Sequence, residues 1–189
     1  VYERAMEMAE GAAIMANVDY KVSLISGIYE VLVNRTGGAI MQENLELLGP
    51  ITYTDDEVNF AKKIQEVTFK PQLGLDSSIK PLLETKDNPG GGSTDVGDVS
   101  WNVANINLGV VTAPIDTPWH SWAVVACGGM SIGHKGMIYA SKAMAFTMLD
   151  LYQNPKDVQA VKQEYLERKG SVVYQAIVPE GPPPLDDVK

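Results

Sequence analysis

Apolar residues recur at helical spacing near both ends of the chain and in denser, β-branched runs between them. Val1–Ala16 places Ala5, Met8, Ala9, Ala12 and Met15 on one helical stripe. Methionines on such a stripe read as core filler rather than a cofactor box. Asn17 ends this helix. Tyr20–Val33, YKVSLISGIYEVLV, predicts one long strand or two strands broken at Gly27. Asn34–Gly38 predicts a turn and then a helix to about Leu48, stopped by Gly49-Pro50. Thr54 and Glu57 have the spacing of a capping box, in which the Thr54 hydroxyl and the Glu57 carboxylate each satisfy the other's backbone N–H. The helix they open buries Val58, Ala61, Ile64 and Val67 on one stripe, and Pro71 follows its end.

Gln72–Gly92 is polar, has no period and predicts a surface excursion into a glycine-rich loop. Trp101–Val111 alternates weakly and predicts a strand, with Pro114–Pro118 as a loop after it. Ser131 has the position of a cap for a long helix from about Ile132 to Tyr152, with Met137, Met144, Met148 and Leu151 on one stripe. Asn154-Pro155 starts a last helix, because proline fits the first turn, where its missing N–H costs nothing. That helix ends near Gly170; Val172–Val178 predicts an edge strand, and the GPPPLDDVK tail is extended or disordered. Long helices alternating with apolar strands predict an α/β layered architecture.

Composition narrows the function classes. The 189 residues are 45% apolar and 21% charged, ordinary for a globular protein. A formal charge of -9 with dispersed lysines speaks against nucleic acid and against an anionic membrane surface. No apolar run approaches the ~20 residues that span a bilayer. The single cysteine, Cys127, excludes an internal disulfide and, in the run AVVACGG, reads as a small buried hydrophobe. This usage points to a reducing, cytoplasmic compartment. The chain opens on Val1 in mid-helix, without a cap, as a piece of a longer protein would.

The candidate chemistry lies between Gly90 and Met137, in GGGSTDVGDVSW, TPWHSW and SIGHKGM, which hold both histidines of the chain. His120 sits between two tryptophans after a strand. An imidazole held there by large apolar neighbours suits a metal ligand, or else a packed, hydrogen-bonded structural histidine. His134 falls in the first turn of the long helix, where the dipole lowers histidine basicity and favours anions. It is a substrate-carboxylate contact, an alternative ligand or a first-turn polar residue. Lys135 beside it is either a cation for an acidic substrate or a solvated lysine. Asp95 and Asp98 bind metal, orient a histidine or cap a helix. GGGSTDVG is not a phosphate loop, since it lacks the Lys-Ser/Thr ending.

The order of these segments resembles the C-terminal half of the co-catalytic zinc metallopeptidase superfamily of aminoacylases, glutamate carboxypeptidases and auxin-conjugate amidohydrolases. Its members carry Gly-Ser-Glu-Asp-Phe, a strand, His-Ser-Pro and then Ile-Gly opening the last long helix. The counterparts here are Gly92-Ser93-Thr94-Asp95-Val96, the strand after Trp101, His120-Ser121-Trp122, and Ile132-Gly133. TDVGDVSW, TPWHSW and SIGHKGM, with AEGAAIMA and NRTGGAIMQENLELLG upstream, look most like the p-aminobenzoyl-glutamate hydrolase branch. The resemblance covers nearly the whole chain, and its specific part runs from Asp95 to Met137.

What the resemblance implies is the C-terminal half of a layered α/β zinc-peptidase catalytic domain (27–178), preceded by the end of an inserted α+β lid or dimerisation domain (1–26) and followed by an extended tail (179–189). It implies hydrolysis of an N-acyl or aminobenzoyl amide of an amino acid such as glutamate, by water activated on divalent zinc or manganese. His120 carries over as a metal ligand and Asp95 as a member of the site-facing loop, with Asp98 beside it. His134 and Lys135 belong to the branch's own signature. Thr94 replaces the usual Glu and Trp122 the usual Pro. The family's remaining ligands and its proton-shuttling glutamate precede the lid and have no counterpart here. The chain alone is therefore expected to be inactive and not to retain the metal, and to act on a small amide or dipeptide-like substrate within a homo- or hetero-oligomer. The rival readings are a non-catalytic assembly or dimerisation module and, further off, a thiol enzyme using Cys127.

Overall fold

The computed structural model describes residues 1–82, 92–178 and 180–182. Seven helices form among them: α1 (Tyr2–Ala16), α2 (Arg35–Leu48), α3 (Asp55–Val67), α4 (Val96–Ser100), α5 (Trp122–Gly128), α6 (Ser131–Gln153) and α7 (Pro155–Lys169). The caps follow local chemistry. Asn17 closes α1 in the left-handed conformation at φ 53°. Asn34 accepts the Gly37 N–H at the start of α2. Thr54 and Glu57 form the reciprocal capping box of α3. Pro155 occupies the first turn of α7 after Asn154. Ser131 is not a cap: it is the first residue of α6, and Met130 holds the cap position without a side-chain bond.

α6 is the hub, packing against α2, α5 and α7, while α2 and α7 also meet. Its inner face is built of small residues. Gly133 lies so close to α5 that an added Cβ would stand 2.5 Å from the Gly128 carbonyl oxygen, and at Gly136 it would stand 2.5 Å from that of Val111. Buried polar groups join the helices. Asn44 Nδ2 of α2 donates to Asp150 Oδ2 of α6 at 2.6 Å, and Asn34 Nδ2 donates to the Val161 carbonyl of α7 at 2.8 Å. The carboxylate of Glu164 accepts the backbone N–H groups of Arg35 at 2.9 Å and Thr36 at 2.6 Å, filling the open donors of the α2 N-terminus. Burial pushes this carboxyl up, but those two N–H donors, the Thr36 side chain and Arg168 outweigh it and bring it to about 2.

The expected α/β layering is overturned: among the described residues there is no strand and no sheet. Residues 20–33, 104–112 and 172–176 are extended, but none pairs with another in a backbone ladder. β-branched composition expresses fitness for a pleated, half-buried surface, and without a neighbouring strand it leaves only extended chain. The first of these segments is held by side chains instead. Ser100 Oγ accepts the Leu32 N–H at 2.8 Å, and Trp101 Nε1 donates to the Glu30 carbonyl at 2.9 Å. Trp101, expected to open a strand, closes the short helix α4.

Two stripes also differ from expectation. On α1 only Ala13 is buried, and Met8 and Met15 stand in solvent. On α3 Ala61 and Ile64 are buried as expected, but Val67 is exposed and Glu57 and Gln65 are buried in its stead. No described helix is long and apolar enough to cross a membrane.

Candidate functional site

The loop that presents His120 is anchored from α3. Gln65, 1% exposed, accepts the Gly74 N–H on Oε1 at 2.8 Å and donates from Nε2 to the Ile115 carbonyl at 3.0 Å. The Ile115 N–H in turn reaches the Gly74 carbonyl at 3.0 Å. Beyond this clamp the chain folds on itself: Thr117 Oγ1 donates to the Pro114 carbonyl at 2.7 Å and Ser121 Oγ to that of Pro118 at 2.5 Å. His120 stands at φ 59°, a left-handed conformation uncommon outside glycine, asparagine, aspartate and histidine. No sequence signal marked that strain.

The surroundings of His120 differ from the dry niche expected. The imidazole is exposed, as are Trp119 and Trp122, at 69% and 58%. Two adjoining grooves approach this turn along the extended segment. One, about 770 Å³, lies between α2 and that segment and is lined by Met41, Leu45, Lys80, Asn107 and Tyr139. The other, about 570 Å³, shares Asp76, Val110 and Val111 with it and ends at Trp119.

The remaining candidates lie on different elements with different partners. His134 is exposed in the first turn of α6. Lys135 is not a free cation: its Nζ donates to Glu57 Oε2 at 2.7 Å and to the Thr52 carbonyl at 2.9 Å, and lies 5.6 Å from the centre of the Tyr53 ring. Burial pushes Glu57 up, but hydrogen bonds from Lys135, Ser131 and the Thr54 N–H outweigh it and lower the carboxyl to about 2. Burial, then the Glu57 charge, lift Tyr53 to about 12. Glu57 thus joins two helix N-termini. Its capping role was legible in the Thr54–Glu57 spacing, but nothing local pointed to a lysine 78 positions away.

Asp95 precedes α4, exposed and without a side-chain capping bond. Asp98, inside α4, accepts the Tyr174 hydroxyl at 3.2 Å. Gly90 and Gly91 of the glycine-rich loop lie outside the described residues. Cys127 is fully buried beside Ala123 and Ile64, and burial pushes its thiol up. Both facts run against the thiol-enzyme reading.

A divalent zinc or manganese ion needs several donors converging on one point. Among the described residues no three His, Cys, Asp or Glu side chains converge in that way. The described residues alone therefore do not fit a resident metal, and His120 offers at most one donor to a site that others complete.

No family model matches the chain, and no solved structure matches it. Among curated proteins it is 29% identical over 212 residues to one of the subunits of p-aminobenzoyl-glutamate hydrolase from Escherichia coli (strain K12), an alignment that covers 98% of the chain. The chain spans 44% of that protein's length. It is, over nearly all of its residues, a distant relative of that hydrolase component.

Proposed function

We propose that the chain is one part of a hydrolase that cleaves an aminobenzoyl or N-acyl amide of an amino acid such as glutamate, and that it works within a hetero-oligomer or with a further stretch of polypeptide. The relation to a hydrolase component over 98% of the chain carries this reading. The relative's name supplies the substrate class, and the incomplete donor set among the described residues supports the need for a complement. In this assignment His120, exposed on a strained turn beside Trp119, which lines a groove, contributes one ligand to a divalent metal held chiefly by other residues. Asp98 holds the neighbouring helix to Tyr174, Asp95 lies on the site-facing loop, and His134 contacts substrate. Residues 1–26, where α1 buries only Ala13, serve assembly.

The test combines the chain with a polypeptide made from the other 56% of the Escherichia coli relative. Release of p-aminobenzoate from aminobenzoyl-glutamate is then followed with and without a chelator. Metal-dependent hydrolysis that needs both parts and disappears in His120→Ala is expected. Full activity in that variant would remove His120 from the site, and activity without this chain would remove the chain from the enzyme. A non-catalytic assembly module is the second reading, favoured by the exposed apolar surface of α6. A complex that forms without hydrolysis would select it.

A further inference from the structure

α6 is apolar on two sides, and only one of them is covered. Its inner side carries Ile132, Gly133, Gly136, Ala143 and Thr147 against α2, α5 and α7. At 100° per residue, Met137, Ile138, Ser141, Met144, Ala145, Met148, Leu149 and Tyr152 fall within an arc of about 140° on the other side. All eight are exposed, and none is charged. Met137, Met144 and Met148 remain 58%, 50% and 54% exposed and Tyr152 82%. The large side chains of this arc each show about 100 Å², so the patch reaches about 600 Å², the upper edge for a monomer. The chain's total surface agrees. A folded protein of 20.5 kDa exposes about 8,900 Å², whereas this chain exposes 13493 Å².

We propose that the Met137–Tyr152 face of α6 is the docking surface for the polypeptide that supplies the part of the relative's length this chain does not span. The inference rests on the functional reading above and names the surface through which the two parts meet. Two observations select this occupant over a second copy. The surface excess over that expected for the mass is roughly 4,600 Å², far more than one helix face. An α6-to-α6 pairing covers only the ~600 Å² patch and leaves the rest in water. The relative, by contrast, has a further 56% of its length with which to cover it. The docking partner presents an apolar, uncharged surface, to which unbranched methionines adapt.

The test is thiol protection. Cys127 is fully buried and the sole cysteine, so Ala145→Cys and Met148→Cys each add one reactive site on the exposed face, and Gln159→Cys on α7 is the control. Maleimide labelling is timed with and without the polypeptide made from the other 56% of the Escherichia coli relative, with size-exclusion chromatography and the hydrolysis assay on the same samples. Expected is a complex in which labelling at 145 and 148 slows more than tenfold and labelling at 159 is unchanged. Met148→Glu is expected to weaken the complex at least tenfold while the circular dichroism of the lone chain stays the same. A complex with unprotected 145 and 148 overturns the docking face and leaves the hydrolase reading standing. Protection without hydrolysis supports the face and removes the hydrolase reading. Protection that rises with the chain's own concentration, without the second polypeptide, assigns the face to a second copy and overturns the proposal. Absence of any complex or protection overturns it as well.

Discussion

Removing the negative charge of Glu57 tests whether the contact between the α3 and α6 N-termini is a cornerstone of the fold. Glu57→Gln keeps the shape and an oxygen for the Thr54 N–H, 2.7 Å away, but loses the charge-assisted bond to Lys135 at 2.7 Å. The side chain of Glu57 is 6% exposed and that of Lys135 34%, so water replaces the bond for the lysine and hardly for the glutamate. The carboxyl falls from the usual 4.5 to about 2. At roughly 1.4 kcal/mol per tenfold change in proton affinity this bounds the linkage near 3 kcal/mol. With one partner a third exposed, the expected loss in Glu57→Gln is ~1.5–2.5 kcal/mol at pH 7. Glu57→Ala, which also gives up the capping box, should lose about 1 kcal/mol more.

The pH dependence has a definite sign. A carboxylate whose pKa is lowered on folding contributes stability that is fully present above its unfolded value, and loses it as pH falls through the folded one. The gap between wild type and Glu57→Gln in urea unfolding should therefore be constant from pH 7 to 5.5 and shrink between about 4.5 and 2. Lys135→Met should cost less than Glu57→Gln, and the double variant should fall short of the sum by about 1 kcal/mol. Additivity within ~0.4 kcal/mol, or a gap that does not change with pH, would refute the reasoning. Glu164, held at about 2 chiefly by the α2 N-terminus, loses its contribution over the same interval, so wild-type stability should fall further there.

Gly133→Ala should cost ~1–3 kcal/mol, because the new Cβ meets the Gly128 backbone, whereas Gly11→Ala, with nothing within 4 Å, should be neutral or slightly stabilising; equal urea midpoints would contradict the close approach. Gln65→Met leaves the Gly74 N–H and Ile115 carbonyl without their partner, and should cost ~2–3 kcal/mol and speed amide exchange around 74 and 115; unchanged exchange there would show that the clamp is dispensable. His120→Gly should be neutral or up to ~1 kcal/mol stabilising, since glycine relieves the φ of 59°, while hydrolysis by the complemented enzyme is lost; a lower melting temperature in His120→Gly than in His120→Ala would argue against backbone strain at this turn.

Local rules explain what was legible. The Thr54–Glu57 box, the left-handed Asn17 and the Asn154-Pro155 start each depend on residues within one helical turn. Extended segments obey no such local rule. Whether Tyr20–Val33 becomes a strand depends on a neighbour that pairs with its backbone groups, and here Ser100 and Trp101 bond to Leu32 and Glu30 while the Tyr174 ring packs on Tyr29. The candidate site divides in the same way. The turn at His120 and the helix start at His134 follow from flanking residues. The pairing of Lys135 with Glu57 and of Asp98 with Tyr174 joins positions 78 and 76 apart, and local pattern carries no sign of either.

α6 shows the limit most clearly. A methionine stripe at helical spacing says that one side of a helix is apolar, but it does not say which side faces the molecule. Packing distance decided that. Gly133 and Gly136 let α6 approach the backbones of Gly128 and Val111 more closely than any side chain would permit, and Ala143 continues the same face. Apart from Ile132 the inner side therefore carries small groups, and most of the larger apolar side chains are left outside. Roughly half of the ~1.5–3 kcal/mol that full burial of each of Met137, Met144 and Met148 contributes is then unused by this chain, since they remain 50–58% exposed. A docked partner on this face would recover that part.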